Sequence, residues 1–279
     1  MTATEFNRTS MRVEEHYDEA LMSFAENNIV GCFLQGSQNY GLADEESDVD
    51  SKLLLVPTLD EIIFNKKPVS TTHIRANDEH IDAKDVRLYW QCFRKGNINF
   101  VEVLFSDYVI VNPMYEDLWN EMVEMRELVA RVYPLAACKA IMGHISEKFH
   151  ALEHRYPSRV EIIDKFGYDP KQLQHLVRMT DFLDEFIKEK YSYRDIMTLK
   201  PMIEIRPDYR QWLMDVKRGR AYELEEARMI AESYYAAAHN AVDRAKLIYD
   251  TVENGDIGFK MDEILGEIIK RAIKEELAK

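Results

Sequence analysis

Cysteine is scarce in this chain. Three are present among 279 residues, Cys32, Cys92 and Cys138. None stands at metal-ligand spacing from another, which excludes a cysteine-built metal centre. Each lies in apolar surroundings and is expected as a buried thiol in a reducing cytoplasm. Long apolar runs are also missing. No stretch approaches the ~20 residues that a membrane-spanning helix needs. The opening residues, MTATEFNR, contain no apolar signal region, so no leader is expected. Positive charge is in deficit: 36 Lys and Arg stand against 50 Asp and Glu, a net charge of −14. That argues against a broad, non-specific nucleic-acid surface, while a few basic residues suffice to hold such a substrate locally. Repeats, low-complexity tracts and a flexible interdomain linker are absent as well. What remains is a globular composition, 46% apolar, ample for one large domain or two ordinary ones.

Periodicity divides the chain into an α/β part to about residue 128 and a helical part after it. Residues 11–25 carry Val13, Tyr17, Ala20, Leu21 and Phe24 at helical spacing. Residues 29–34 and 49–56 read as strands, 59–64 as a short helix after Pro57-Thr58. Residues 71–75 and 80–83 read as two more strands, joined at the turn pair Asn77-Asp78. Val86, Tyr89, Trp90 and Phe93 form one stripe over residues 85–93, the mark of a helix covering a sheet. Residues 100–105 are apolar and fit strand or helix. A mixed sheet of about four or five strands is expected within residues 28–112. Beyond it, residues 135–154, 171–188, 209–216, 221–249 and 261–277 read as helices. Asp169-Pro170 supplies an N-cap acid and a proline for the first helical position. Gly255 and Gly258 read as an interruption before the last helix.

The polar chemistry is concentrated in residues 36–50, GSQNYGLADEESDVD, between two apolar runs. Asp48 and Asp50 are two apart, and on a strand such residues point to one face. Their carboxylates then converge on one hydrated cation or a pair, and hard oxygen ligands suit Mg²⁺. Two like charges facing one way repel unless a cation sits between them. Gly36 lets the backbone pass close to a phosphate. Ser37 adds a hydroxyl, and the amides of the turn can cradle anionic oxygens. Strand, small-residue turn, polar loop and acid-bearing strand together form the arrangement of a metal-dependent phosphoryl-transfer site. Tyr40 fits two roles, stacking on a base or sugar or packing beneath the loop. Gly41 suits a positive φ. Further on, Lys171, His175 and Arg178 are spaced i, i+4, i+7 and share one helix face. Such a row suits a triphosphate, which Arg can bind in a fork; a solvated polar face is the alternative. Lys217, Arg218 and Arg220 fit either an acceptor's phosphates or a helix C-terminus.

The order Gly36-Ser37 followed by Asp48-x-Asp50 resembles the nucleotidyltransferase superfamily of DNA polymerase beta. The longer string, Gly36-Ser37-x-x-Tyr40-Gly41-Leu42 and then Ser47-Asp48-x-Asp50, resembles its RlaP/YcgL-type branch, nucleotidyltransferases linked to RNA repair. Asp82, the run Lys95-Gly96-Asn97 with VEVLF at 101–105, and YDPKQLQHLVR at 168–178 look like the same branch, a likeness spanning residues 31–220. The resemblance implies an α+β fold, with a polymerase-beta-like catalytic domain over residues 1–128. A helical domain over residues 129–279 would form the other wall of the nucleotide cleft. It favours helix for residues 100–105. It implies transfer of a nucleoside monophosphate from an NTP such as ATP to an acceptor, an RNA 3′ end, with release of pyrophosphate. Two Mg²⁺ ions, or Mn²⁺ in their place, would be held by three carboxylates, the third from a neighbouring strand. Asp82 is the expected third ligand, flanked by Ile81 and Ala83. It could instead cap the helix that follows, with Asp85 and Glu79 next in line as ligands. Gly36, Ser37, Tyr40, Lys171, His175 and Arg178 are the expected nucleotide-binding residues. A protein hydroxyl or a small molecule as acceptor, and a nucleotide-binding module without turnover, are the competing readings.

Overall fold

The computed structural model describes residues 12–43, 47–76, 78–250 and 255–278. Helix α1 spans Val13–Leu21, strand β1 Ile29–Gln35, the single-turn α2 Ser37–Tyr40 and β2 Asp50–Leu55. Then come α3 (Leu59–Ile63), β3 (Ser70–Ile74), β4 (His80–Asp85), α4 (Val86–Arg94), α5 (Ile98–Val101) and β5 (Val109–Val111). Helices α6 (Glu116–Glu124), α7 (Arg126–Ala130), α8 (Pro134–Ala151), α9 (Val160–Phe166) and α10 (Pro170–Lys188) follow. The chain ends with α11 (Tyr193–Met197), α12 (Lys200–Ile205), α13 (Tyr209–Lys217), α14 (Leu224–Tyr249) and α15 (Gly255–Leu277). This is the expected mixed sheet with flanking helices, followed by helix. Residues 100–105 are helical, as the resemblance implied, through the end of α5 and a 3₁₀ turn, Glu102–Phe105. Met11, expected to open the first helix, and Asn77, expected in the β3–β4 turn, lie outside the described residues.

The sheet has the order β3-β4-β2-β1-β5. Only the β2–β4 pair is parallel; β1–β2, β1–β5 and β3–β4 are antiparallel. One face is closed by α1, whose Val13 and Ala20 pack with Cys32, Leu34, Leu53, Leu55, Ile81 and Ala83. Alternation along the strands makes this possible, since those residues fall on one side of the pleat. The other face carries Phe33, which stacks on Trp119 of α6 at 4.3 Å. Both rings are fully buried. Local capping sets the helix starts. Thr58 and Glu61 form a capping box at α3, and the Asp85 side chain accepts from Arg87 N at the start of α4.

The chain forms two compact units. One contains the sheet, the helices up to Tyr133, and α15. The other contains α8 to α14 together with Tyr40–Leu42. The division differs from the expected one at 128/129: along the chain it falls after Tyr133, Tyr40–Leu42 go with the helical unit, and α15 goes with the sheet. The apolar stripe of α15, with Met261, Ile264 and Ile268 buried, finds its partners in the first unit. Trp90 Nε1 donates to Met261 O at 2.8 Å, and Arg271 pairs with Asp117 at 2.6 Å. Gly255 and Gly258 do not interrupt this helix but lie in its first turns; a Cβ on Gly258 would stand 3.0 Å from the Tyr133 hydroxyl. Cys32 and Cys138 are buried, whereas Cys92 is half-buried. No helix among the described residues is long and apolar enough to cross a membrane.

In the second unit α10 is the central element, packed against α8, α13 and α14. It starts at Pro170 with Asp169 as N-cap, as the sequence predicts. Burial lifts its Asp181 carboxyl to about 7, although the Tyr209 hydroxyl donates to it. An unfolded chain would release this proton near pH ~4. Between these values the folded state holds a proton that the unfolded state has lost, so stability falls as pH rises toward 7 and levels off above it. Asp181→Asn keeps an acceptor for Tyr209 and removes the ionisation. The variant is expected to be more stable than wild type at pH 8 and equal to it near pH 4, as measured by urea denaturation.

Candidate functional site

Strand register brings the two halves of the motif together. Gln35, the last residue of β1, pairs with Asp50, the first of β2. Gly36-Ser37 and Asp50 thus lie at the same end of two adjacent strands. Gly36 has φ +95°, the left-handed region that favours glycine, with nothing within 4 Å of where a Cβ would stand. Its backbone conformation, rather than lack of room, requires glycine. The turn is tied down on both sides. Asn39 Nδ2 donates to Leu34 O at 3.0 Å, and Ser37 Oγ donates to Gln38 Oε1 at 3.4 Å. Gln38 Nε2 in turn donates to Asp48 O at 2.8 Å. The Gly36 amide donates to the buried carboxylate of Glu102 at 3.3 Å. An incoming phosphate would therefore have to displace Glu102 to use that amide.

Asp48 is exposed ahead of the strand, and Asp50 is half-buried at its start. Asp50 Oδ1 accepts from His80 N at 2.9 Å and lies 3.0 Å from His80 Nδ1. These contacts use one oxygen; Oδ2 makes none with a described residue. Asp82 is an interior residue of β4, paired with Lys52 in the parallel ladder. It is not a helix cap, because Asp85 fills that role. Asp50 and Lys52 on β2, and His80 and Asp82 on β4, share one face of the sheet by alternation. The two fall-back acids are engaged elsewhere. Asp85 holds Arg87 at 2.7 Å, and buried Glu79 holds Arg75 at 2.8 Å and His16 at 3.1 Å.

Among the described residues no group of three or more His, Cys, Asp or Glu side chains stands together in a way that could hold a metal ion. Lys52 engages Asp82, a contact that the sequence does not show because the two residues lie on different strands. Its Nζ lies 2.9 Å from Asp82 Oδ2 and 4.3 Å from the centroid of the Phe100 ring. Burial pulls the Lys52 ammonium down from its ordinary range, and the Asp82 carboxylate partly restores it. His80 was missed for the same reason: its partner, Asp50, lies on a different strand.

In the helical unit, Arg178 is buried, with 4% of its surface exposed. Its guanidinium lies 4.1 Å from the centroid of the Tyr40 ring. Tyr40 is itself buried beside Arg178. Gly41 has φ +70°, and a Cβ there would stand 3.1 Å from the Arg210 guanidinium. Lys171 and His175 are half-buried. The row is thus not a solvated face. Burial holds the His175 imidazole well below its ordinary range, and the charges of Arg178, Lys148, Lys171 and Lys217 push it the same way. Lys148 comes from α8 and Lys217 from α13, so three helices contribute to one cationic cluster. Only packing of α8, α10 and α13 reveals Lys148.

No family model matches the chain, and no curated protein matches it. Among solved structures it is similar to a nucleotidyltransferase-like protein from Exiguobacterium sibiricum, at 8% identity and a TM-score of 0.33. The likeness covers 93% of this chain and 79% of the other.

Proposed function

We propose that this chain is a metal-dependent nucleotidyltransferase of the RlaP/YcgL type, transferring a nucleoside monophosphate from an NTP to an RNA 3′ end. One observation carries the reading: the β1–β2 register sets the Gly36-Ser37 turn beside Asp50, the second acid of the Asp48-x-Asp50 pair. A glycine-serine turn and an acid pair at one strand end suit phosphoryl transfer. Asp50, with one carboxylate oxygen uncommitted, and the exposed Asp48 are the residues that fit a divalent cation. When bound, such a cation neutralises charge that develops on the transferred phosphate. Ser37 and the turn amides orient phosphate oxygens, and in the helical unit the Lys171–Arg178 row with Lys148 and Lys217 is by itself a cluster that suits phosphate.

The test is incubation with each α-labelled NTP, Mg²⁺ or Mn²⁺, and separate pools of RNA and protein. Label on RNA 3′ ends is the expected result. Label in the protein pool makes the chain a protein-modifying transferase, a reading that the net charge of −14 favours. Label in neither pool, with pyrophosphate never released, overturns the enzymatic reading.

A further inference from the structure

Lys52 stands on the face that Asp50 and Asp82 share, and it is held from several sides. Its backbone is paired with Phe33 on β1 and Asp82 on β4. Its side chain is 5% exposed, lies over Phe100, and ends 2.9 Å from Asp82 Oδ2. Lys84 brings a second ammonium, 4.0 Å from Asp82 Oδ1. That ammonium also donates to Ser70 Oγ at 3.0 Å. Both oxygens of Asp82 therefore face fixed positive charge. Asp50 differs, because its contacts with His80 use Oδ1 alone.

A divalent cation on Asp82 would sit against two ammonium groups. Their repulsion opposes binding, and drawing the 5% exposed Lys52 away from Asp82 would leave a buried charge unpaired. Asp82 thus does not fit the role of third metal ligand. We infer that the site takes one divalent cation per chain, at Asp48 and Asp50. Lys52 then supplies at Asp82 the fixed positive charge that a second cation would otherwise supply. The inference rests on the proposed function for the cation at Asp50 and departs from it in the number of ions. It makes Lys52 a positioning residue, acting through Asp82 on the charge balance of the face.

Mn²⁺ binding alone, counted by electron paramagnetic resonance on the full chain at physiological salt, tests this. One Mn²⁺ per wild-type chain is expected, lost in Asp50→Asn and retained in Asp82→Asn with unchanged affinity. Lys52→Met, with its fold checked by near-ultraviolet circular dichroism, should gain a second Mn²⁺, whereas Lys52→Arg should stay at one. Two ions in the wild type overturn the inference and leave the proposed function standing. So does an affinity about tenfold weaker in Asp82→Asn, and this arm decides the matter if Lys52→Met does not fold. A folded Lys52→Met chain that takes only one ion overturns the role of Lys52. No Mn²⁺ on the wild type overturns the proposed function together with the inference.

Discussion

Asp50→Asn is expected to lower nucleotidyl transfer on the order of 10³-fold while leaving the fold intact, the loss of several kcal/mol of charge stabilisation in the transition state. The substitution removes a charge and almost no volume. An asparagine oxygen can still accept from His80 N, now at 2.9 Å from Asp50 Oδ1, so the β2–β4 edge keeps its cross-strand tie. What is lost is the anionic ligand. The contribution to be lost from folding is small, because the Asp50–His80 contact is partly exposed and solvent screens it. Turnover should fall far more than NTP affinity, since a cation neutralising developing charge acts mainly on the transition state. Thermal denaturation beside single-turnover transfer reads both sides. Full activity in a folded Asp50→Asn chain would end the enzymatic reading.

Arg178→Ala is expected to act on binding instead, weakening NTP affinity by about 10- to 100-fold, the scale of one lost charge-assisted contact. It should also lower stability by about 1–2 kcal/mol, because a desolvated guanidinium over the Tyr40 ring is removed. The two effects need separating, and His175 provides the means. Its imidazole is held down by burial first and by Arg178 and three lysines after that. Triphosphate bound to this cluster brings negative charge close to the ring, so the His175 pKa should rise when NTP binds the wild type. Arg178→Ala should raise it in the free protein. Nuclear magnetic resonance titration of the His175 ring, with and without a non-hydrolysable NTP, measures both. An unchanged His175 in the presence of saturating nucleotide would show that the phosphates bind elsewhere. Lys217, Arg218 and Arg220 would then be the next residues to replace.

Much of this architecture was legible before any coordinates, because the signals are local. The apolar runs in residues 29–34 and 53–56, the break at Pro57-Thr58 and Asp169-Pro170 each act within a few residues. Those elements form where expected. The Gly36-Ser37 turn was legible for the same reason, since backbone freedom at glycine is a short-range property, whereas Asp48, expected on the strand with Asp50, stands ahead of it. Tertiary structure decided the rest, through contacts between residues far apart in the chain. A lysine in an apolar strand says nothing of its partner until the parallel β2–β4 register sets it beside Asp82. An apolar stripe near the C-terminus does not name the surface that buries it, and Trp90 and Asp117 assign α15 to the first unit. Helical spacing puts Lys171, His175 and Arg178 in a row, but only the packing around α10 buries Arg178 and adds Lys148 and Lys217. The charge state of His175 follows from that packing, because desolvation and neighbouring charge exist only once the chain has folded.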